Sequence, residues 1–249
     1  RLRGVINKPI PTTELLDLAE AVFSRGWRSL KLYFMIGQPT ETDDDVRAIA
    51  DLARAVRDVG KRHHHNKAQV RVGVSTFVPQ PHTPFQWAAM DTPEAIHHKQ
   101  DLLRQAFGRG HGILFNWNDP RESLLEAALV RGDRRVGQAI LSAWRAGCQF
   151  DAWREHFKPE AWTEAFAAHG LDQGWYATRA RDADEVLPWD HIATGVARRW
   201  LWADYQAALR GEVKVDCRHG CHGCGILTAF ATQRRAAGDE AWQCPPTHR

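Results

Sequence analysis

Three cysteines near the C-terminal end have the spacing of a metal-binding loop. Cys217, Cys221 and Cys224 are separated by three and then two residues, so one tight turn can bring the three thiols together. Thiolates bind zinc and iron–sulfur clusters strongly. The candidates for a fourth ligand are His219, His222, Cys244 and an exogenous group. Three alternatives therefore remain open for this loop: a structural zinc ion, an iron–sulfur cluster or three free thiols.

Polar side chains also alternate with apolar ones in two strand-like segments, residues 30–37 and 70–78. One face of each segment is apolar. The opposite faces carry the candidate residues for binding a substrate or a cofactor carboxylate, which are Lys31, Tyr33, Arg71 and Ser75. Buried parallel strands are usually apolar on both faces, so these polar faces predict a barrel lumen or cleft that holds a polar ligand. The alternative is that Lys31 and Arg71 extend into solvent at the bottom of the barrel.

The cysteine distribution and the composition exclude several classes of protein. Among five cysteines in 249 residues, only Cys148 lies outside the C-terminal cluster, and no signal peptide opens the chain. This usage indicates a reducing compartment, so we predict a cytoplasmic protein. The net charge of +3 does not by itself indicate nucleic-acid binding. No apolar run approaches the roughly 20 residues that cross a bilayer, so no membrane partner is expected. The chain begins with Arg1 rather than Met, which suggests a piece of a longer protein.

Helix and strand patterns alternate along the first part of the chain. The predicted strands cover residues 30–37, 70–78 and 111–117, and the predicted helices cover 14–24, 42–59 and 93–108. Strands that alternate with helices in this way are typical of a parallel α/β sheet or barrel. Helices are predicted next over residues 120–130, 133–146, 158–168 and 192–209, and a frayed polar tail from about residue 228. The expected fold is therefore α/β with a helical extension.

Other eye-catching residues have ordinary explanations. The run His63 to His65 is predicted to be a solvated loop, because adjacent residues cannot share one face of a helix or strand. Asp190 and His191 are expected to form a structural turn rather than an acid–base pair. The arginines within residues 131–135 are expected to form a solvated face, and a contact with RNA phosphates is the alternative.

Two stretches resemble strands of radical S-adenosylmethionine enzymes. Residues 31–46, KLYFMIGQPTETDDDV, resemble the fifth barrel strand and its following turn, and residues 74–87, VSTFVPQPHTPFQW, resemble the sixth strand and its exit loop. Residues 1–8 resemble the segment just past the fourth strand. Residues 131–135 and 187–192 resemble a cobalamin-binding subfamily, whose members end in a similar Asp-Cys-Arg-His-Gly…Cys-Gly stretch. The resemblance spans residue 1 to about residue 226.

The resemblance implies that this chain is the C-terminal portion of such an enzyme. Residues 1–118 would be the C-terminal half of a (β/α) barrel, 119–215 a mostly helical extension, and 216–249 a Cys-rich loop with a flexible tail. The partner would be the missing N-terminal half of the barrel, which carries the ligands of the main [4Fe-4S] cluster. The chain alone is expected to be inactive. The substrate stays open between an RNA base, a lipid-like molecule and a peptide.

The resemblance also implies cofactor contacts. S-adenosylmethionine would pack against the end of the first strand and the end of the second; the residues concerned are Met35, Ile36, Gly37, Phe77, Val78 and Pro79. Phe77, Val78 and Pro79 would contact the adenine, partly through their main chain. Cobalamin is a further cofactor that the subfamily implies. The family's own cluster loop has the CxxxCxxC spacing but follows the first strand, whereas Cys217 follows every predicted strand. The C-terminal loop is therefore expected to hold zinc or an auxiliary cluster.

A second function is also compatible with the residues. The Cys217–Cys221–Cys224 loop, with histidine and arginine close by, is compatible with a zinc-stabilised module that binds RNA or protein without catalysis. Metal content distinguishes this module from the enzyme.

Overall fold

A computed structural model describes residues 1–108 and 112–246 of the chain. The strands are β1 (Ser29–Ile36), β2 (Gln69–Thr76) and β3 (Ile113–Trp117). The helices of the sheet region are α1 (Leu2–Val5), α2 (Thr12–Ser24), α3 (Asp43–His64) and α4 (Pro93–Phe107). The later helices are α5 (Pro120–Arg131), α6 (Val136–Arg145), α7 (Pro159–Ala167), α8 (Gln173–Ala177), α9 (Arg198–Leu209), α10 (Ile226–Ala229) and α11 (Ala231–Ala237). None of the helices in these ranges has the length and apolar character that a membrane span requires.

The three strands form one parallel sheet in the order β1-β2-β3. Helices α3 and α4 provide the two crossovers, as parallel strands require. This arrangement confirms the α/β class and the parallel pairing that the sequence predicts. The sheet is open within the described residues, with β1 and β3 at its edges. His111, which belongs to the predicted third strand, lies outside the described residues.

One face of the sheet is covered by helices α2, α3 and α4. The strand side chains on this face include Val70, Val72 and Val74, all of which are buried. Helix residues pack on them and form the main core, among them Phe23, Val46, Ile96 and Leu103. The two-residue alternation of the strands therefore corresponds to one buried face, as predicted.

Helix α3 is longer than the sequence predicts. It continues through Gly60 to His64, so the predicted stop at Gly60 and the solvated histidine loop are wrong. A Cβ atom at Gly60 would lie 2.8 Å from the Phe23 ring, which shows that glycine allows close packing of α3 on α2 rather than ending the helix. His63 and His64 strengthen the same contact, because their Nε2 atoms lie 2.5 Å from a Glu20 oxygen and 2.9 Å from the Phe23 carbonyl oxygen.

Substitution of Gly60 by alanine is expected to lower the free energy of unfolding by about 1 kcal/mol. Overpacking against the buried Phe23 ring costs about 1–3 kcal/mol, and the better helix propensity of alanine returns only about 1 kcal/mol. Gly137→Ala is the matched control, because a Cβ atom at this helical position meets no atom within 4 Å. Urea denaturation of both variants checks this, and equal or greater stability of Gly60→Ala would contradict the packing argument.

The helical extension packs against the sheet region through an aromatic cluster. Trp87 follows β2 and is buried; its ring lies 5.1 Å from that of Trp202 and 6.3 Å from that of Tyr205, both on α9. Helix α9 begins at Arg198, six residues later than residue 192, where the sequence predicts its start. Helices α10 and α11 occupy part of the segment predicted as a flexible tail.

Candidate functional site

The second face of the sheet carries the predicted substrate-binding residues side by side. The register pairs Lys31 with Arg71, and Met35 with Ser75, across β1 and β2. We call this surface the open face; its residues are Lys31, Tyr33, Met35, Arg71, Gly73, Ser75, Leu114 and Asn116. The sequence prediction that the polar sides of the first two strands lie together on one surface is therefore confirmed.

The open face is exposed to solvent. Tyr33 is 75% exposed, and Lys31, Arg71 and Ser75 are exposed as well. The described residues therefore do not by themselves close a lumen around these side chains, and the lumen stays a prediction. The physical reason is that the helices pack on the opposite face and no described element covers this one.

Two cations lie next to each other on the open face. The Lys31 Nζ atom lies 4.6 Å from the centre of the Tyr33 ring, and this ring in turn covers Gly73, where a Cβ atom would be 3.5 Å from Tyr33 Cδ1. Within the described ranges, neither Lys31 nor Arg71 forms an ion pair. Like charges at paired positions of neighbouring strands repel, so this surface favours an anionic group bound across both side chains.

The residues predicted to contact the cofactor lie at the carboxyl ends of β1 and β2. Met35 is exposed on the open face, whereas Ile36 and Gly37 are buried. The Phe77 amide donates a hydrogen bond of 2.8 Å to the Ile36 carbonyl oxygen and extends the pairing past the strand ends. Of the three residues that follow β2, Phe77 and Pro79 are buried and Val78 is half-buried. A ligand at this edge can therefore reach the exposed Met35 side chain, whereas the buried positions are almost entirely covered by the chain itself.

A buried ionic network, which the sequence analysis missed, holds the turn after β1. The Gly37 amide donates a hydrogen bond of 2.7 Å to Glu41 Oε1. Lys99 Nζ lies 2.8 Å from the same oxygen and 2.6 Å from Asp91 Oδ2. The Glu41 side chain is 1% exposed and that of Lys99 12%. Gly37 has a φ of +83°, and a Cβ atom there would lie 3.2 Å from Asp91 Oδ2. The network therefore fixes the backbone where a ligand would approach.

The pKa values of this network follow from its burial. Burial raises the pKa of Glu41, although hydrogen bonds from Lys99 and the Gly37 amide act in the opposite direction. Burial disfavours the charged form of Lys99, but its hydrogen bonds to Asp91 and Glu41 prevail and raise its pKa. A signal existed in the sequence, because Lys99 shares a helix face with Ile96 and Leu103, both fully buried. A lysine on an apolar face needs a buried partner.

The C-terminal cysteines are arranged differently from the predicted set. Cys217 is exposed, whereas Cys221, Cys224 and Cys244 are half-buried. The Cys221 amide donates to the Pro246 carbonyl oxygen at 3.0 Å, which holds the chain near Cys244 against the loop. Burial and the neighbouring Cys221 and Cys224 thiols raise the pKa of Cys244. The structure therefore places Cys244 beside two of the three predicted ligands.

This cysteine cluster does not by itself constitute a metal centre. Across residues 1–108 and 112–246, no group of three or more Cys, His, Asp or Glu side chains is arranged to hold a metal ion. His222 is held by the chain, since its Nε2 atom lies 2.7 Å from the Val215 carbonyl oxygen. A metal site at Cys217, Cys221 and Cys224 would need the loop to close and the thiols to lose their protons, so this site stays a prediction.

Comparison with known proteins gives one informative similarity. No protein-family model matches the chain, and no solved structure matches it. An uncharacterized protein of Methanocaldococcus jannaschii is 26% identical over 140 residues, which is 55% of this chain. The matched stretch spans only 29% of that protein's length. The relative is thus distant and extends well beyond the similar region.

Proposed function

We propose that this chain is the C-terminal part of a radical S-adenosylmethionine enzyme, in which the open face forms the adenine-side wall of the cofactor site and part of the substrate cavity. The observation that carries the proposal is the alignment of Lys31 with Arg71 on a parallel sheet face that the described residues leave uncovered. Parallel sheets are usually covered on both faces. The missing cover is supplied, in this proposal, by the N-terminal half of the barrel.

The residues present fit such a ligand in three respects. The cationic pair Lys31 and Arg71 suits a carboxylate, and the exposed Tyr33 and Met35 offer apolar surface for a purine. The turn at Gly37, directly after β1, is held in place by Glu41. Met35 also lies at the carboxyl end of its strand, where ligands bind in α/β folds, whereas Lys31 and Arg71 are each the third residue of their strands.

In this proposal the chain's own residues bind and orient S-adenosylmethionine and take no part in the bond-breaking step. Lys31 and Arg71 would fix the carboxylate, while Met35 and the buried strand ends would keep water from the reacting atoms. When bound, a reduced [4Fe-4S] cluster held by ligands outside this chain supplies the electron for cleavage of S-adenosylmethionine. Cobalamin, if the longer protein carries it, would likewise be bound outside this chain.

Anaerobic reconstitution of the longer protein with iron and sulfide tests the proposal. We expect 5′-deoxyadenosine and methionine to form from S-adenosylmethionine after chemical reduction, and neither product to form without the reductant. A reconstituted and reduced protein that contains its cluster but releases neither product would overturn the proposal.

The proximity of Cys244 to Cys221 and Cys224 favours a second candidate, a zinc-stabilised module that binds RNA or protein. Stoichiometric zinc, with unfolding on chelation, would support it. Iron with acid-labile sulfide at this loop would instead support an auxiliary cluster. The variant Cys221→Ser/Cys224→Ser should lose the metal, and Cys148→Ser, which removes a buried cysteine of the body, should retain it. Absence of both metals would exclude either kind of centre.

A further inference from the structure

A cleft in the helical extension has a cationic lining that the proposed function does not use. It lies between the end of α5, the end of α8 and the loop 185–191, and its volume is about 720 Å³. We call it the arginine cleft; the residues that define it are Arg134, Trp175, Tyr176, Arg179, Arg181 and Glu185. Arg131 lies directly behind it, because its carbonyl oxygen accepts a hydrogen bond from Arg181.

The carboxylates around the cleft are already neutralised by other arginines. Asp133 forms an ion pair of 2.7 Å with Arg135. Glu185 forms one of 2.5 Å with Arg179. Asp190, which also lines the cleft, pairs with Arg198. Because these three acids are already paired, Arg134 and Arg181 in the cleft have no carboxylate in direct contact.

Arg181 and Arg131 are buried without an anionic partner in the described part of the chain. Arg181 is 5% exposed, donates to the Arg131 carbonyl oxygen at 2.8 Å and stacks 5.0 Å from the Trp189 ring. Arg131 is fully buried and donates to the carbonyl oxygens of Ala88 at 2.6 Å and Arg179 at 3.2 Å. The Nε atoms of both guanidinium groups have no hydrogen-bond partner among these residues. Backbone carbonyls thus accept some of the hydrogen bonds of each guanidinium group, but they carry no negative charge to balance it.

Two buried positive charges with no anion in direct contact are unfavourable, although the already paired Glu185 favours the charged form of both and Asp133 that of Arg181. Burial, reinforced by the Arg181 and Arg179 charges, lowers the pKa of Arg131 to about 10, and burial also lowers that of Arg181. Both groups are still charged at neutral pH. A buried charge with no counter-charge is costly, so an anion that enters the cleft would relieve this cost through Arg181.

We propose that the arginine cleft binds the phosphate group of a small ligand of nucleotide size. Arg181 reaches the cleft from the buried side, and Arg134 reaches it from the exposed side with no side-chain partner in the described ranges. The two uncompensated guanidinium groups of Arg134 and Arg181 match a phosphate dianion better than a single carboxylate, and guanidinium forks suit phosphate oxygens. The cleft volume lies within the range of about 300–1,000 Å³ that is typical of small-ligand sites.

The exposed Trp175 ring gives the mouth of the cleft a flat surface for the rest of the ligand. The Arg179 guanidinium lies 4.4 Å from this ring and the Tyr176 ring 4.9 Å, so Trp175 is fixed in place. Amphipathic aromatic rings of this kind commonly contact ligand rings at binding sites. A nucleoside monophosphate combines both features, with its phosphate at Arg181 and its base at the mouth.

Calorimetric titration of the full chain with inorganic phosphate, adenosine monophosphate and adenosine tests the proposal. We expect saturable binding of both phosphates, tighter for the nucleotide, and none for adenosine. Arg134→Gln should weaken binding about ten-fold, because it removes one charge-assisted contact from an exposed position where folding is unaffected. Arg145→Gln, an exposed arginine at the end of α6 outside the cleft, should leave binding unchanged.

Arg181→Gln should weaken binding more than Arg134→Gln does, with its folding checked by circular dichroism. If Arg181→Gln does not fold, Arg134→Gln and Arg145→Gln still decide the outcome. Equal binding of adenosine and its monophosphate, equal weakening by the two exposed variants, or binding of a single-stranded RNA without the mononucleotide would each overturn the proposal. None of these measurements depends on cleavage of S-adenosylmethionine.

Discussion

Lys99→Met is expected to lower the free energy of unfolding of the full chain by about 3–5 kcal/mol, because loss of one partner from a buried ionic pair leaves an uncompensated charge. The lysine holds two acids: its Nζ atom lies 2.8 Å from Glu41 and 2.6 Å from Asp91. Methionine preserves most of the side-chain volume, so the loss reports charge rather than a cavity. Urea denaturation at neutral pH measures it.

Lys61→Met is the matched control for this loss. Lys61 pairs with Asp58 at 3.2 Å on the surface of α3, where both side chains are exposed. Exposed pairs of this kind contribute about 0.2–1 kcal/mol. Equal and small effects of the two substitutions would contradict the buried network.

The pH dependence gives a second test of the same network. The pKa of Glu41 is raised in the folded protein, so its protonated form favours folding below the ordinary value of 4.5, and this contribution is lost as pH rises through the folded value. In Lys99→Met the ionised carboxylate keeps only the backbone amides of Gly37 and Gln38 as close partners. The stability difference between this variant and the wild type should therefore narrow as pH falls toward 4.5. A difference independent of pH would assign the loss to packing.

The strands and their faces follow from local alternation, which the sequence displays directly. The polar residues around Lys31 and those around Arg71 each follow a two-residue alternation within eight residues. Parallel pairing of the strands then places the two groups together. The prediction that Gly60 ends its helix is wrong because glycine is needed there for close contact with the Phe23 ring, which lies on another helix. A glycine that ends a helix and a glycine that admits a neighbour look alike in sequence.

The ionic network and the cysteine cluster depend on contacts between distant residues. Glu41 and Lys99 form an ion pair because α3 and α4 pack side by side. The local sequence around Lys99 indicates that it needs a partner but does not identify Glu41. Cys244 lies 20 residues beyond Cys224, outside the compact spacing that drew attention to the loop. The arginine cleft was likewise hidden, since Arg131 appears in sequence as one of several surface arginines and is fully buried in the structure.

The double substitution Lys31→Gln/Arg71→Gln in the longer protein is expected to raise the dissociation constant for S-adenosylmethionine about 100-fold or more. A hydrogen bond to a charged group contributes about 1.5–3 kcal/mol, so each cation corresponds to roughly a ten-fold or larger change in affinity. Equilibrium dialysis under anaerobic conditions measures the constant. Arg47→Gln is the control, because Arg47 pairs with Asp43 and Asp44 on the surface of α3.

Stability distinguishes a binding role of these cations from a structural one. In the free chain, Lys31 and Arg71 are neighbours of like charge on an uncovered face, and such pairs are destabilising by about 0.2–1 kcal/mol. Removal of one charge should therefore leave the free energy of unfolding unchanged or slightly higher while affinity falls. Opposite signs for the two quantities are expected only if the pair is maintained for a ligand. A loss of stability with unchanged affinity would assign the pair a structural role, and no change in either quantity would mean that both side chains merely extend into solvent.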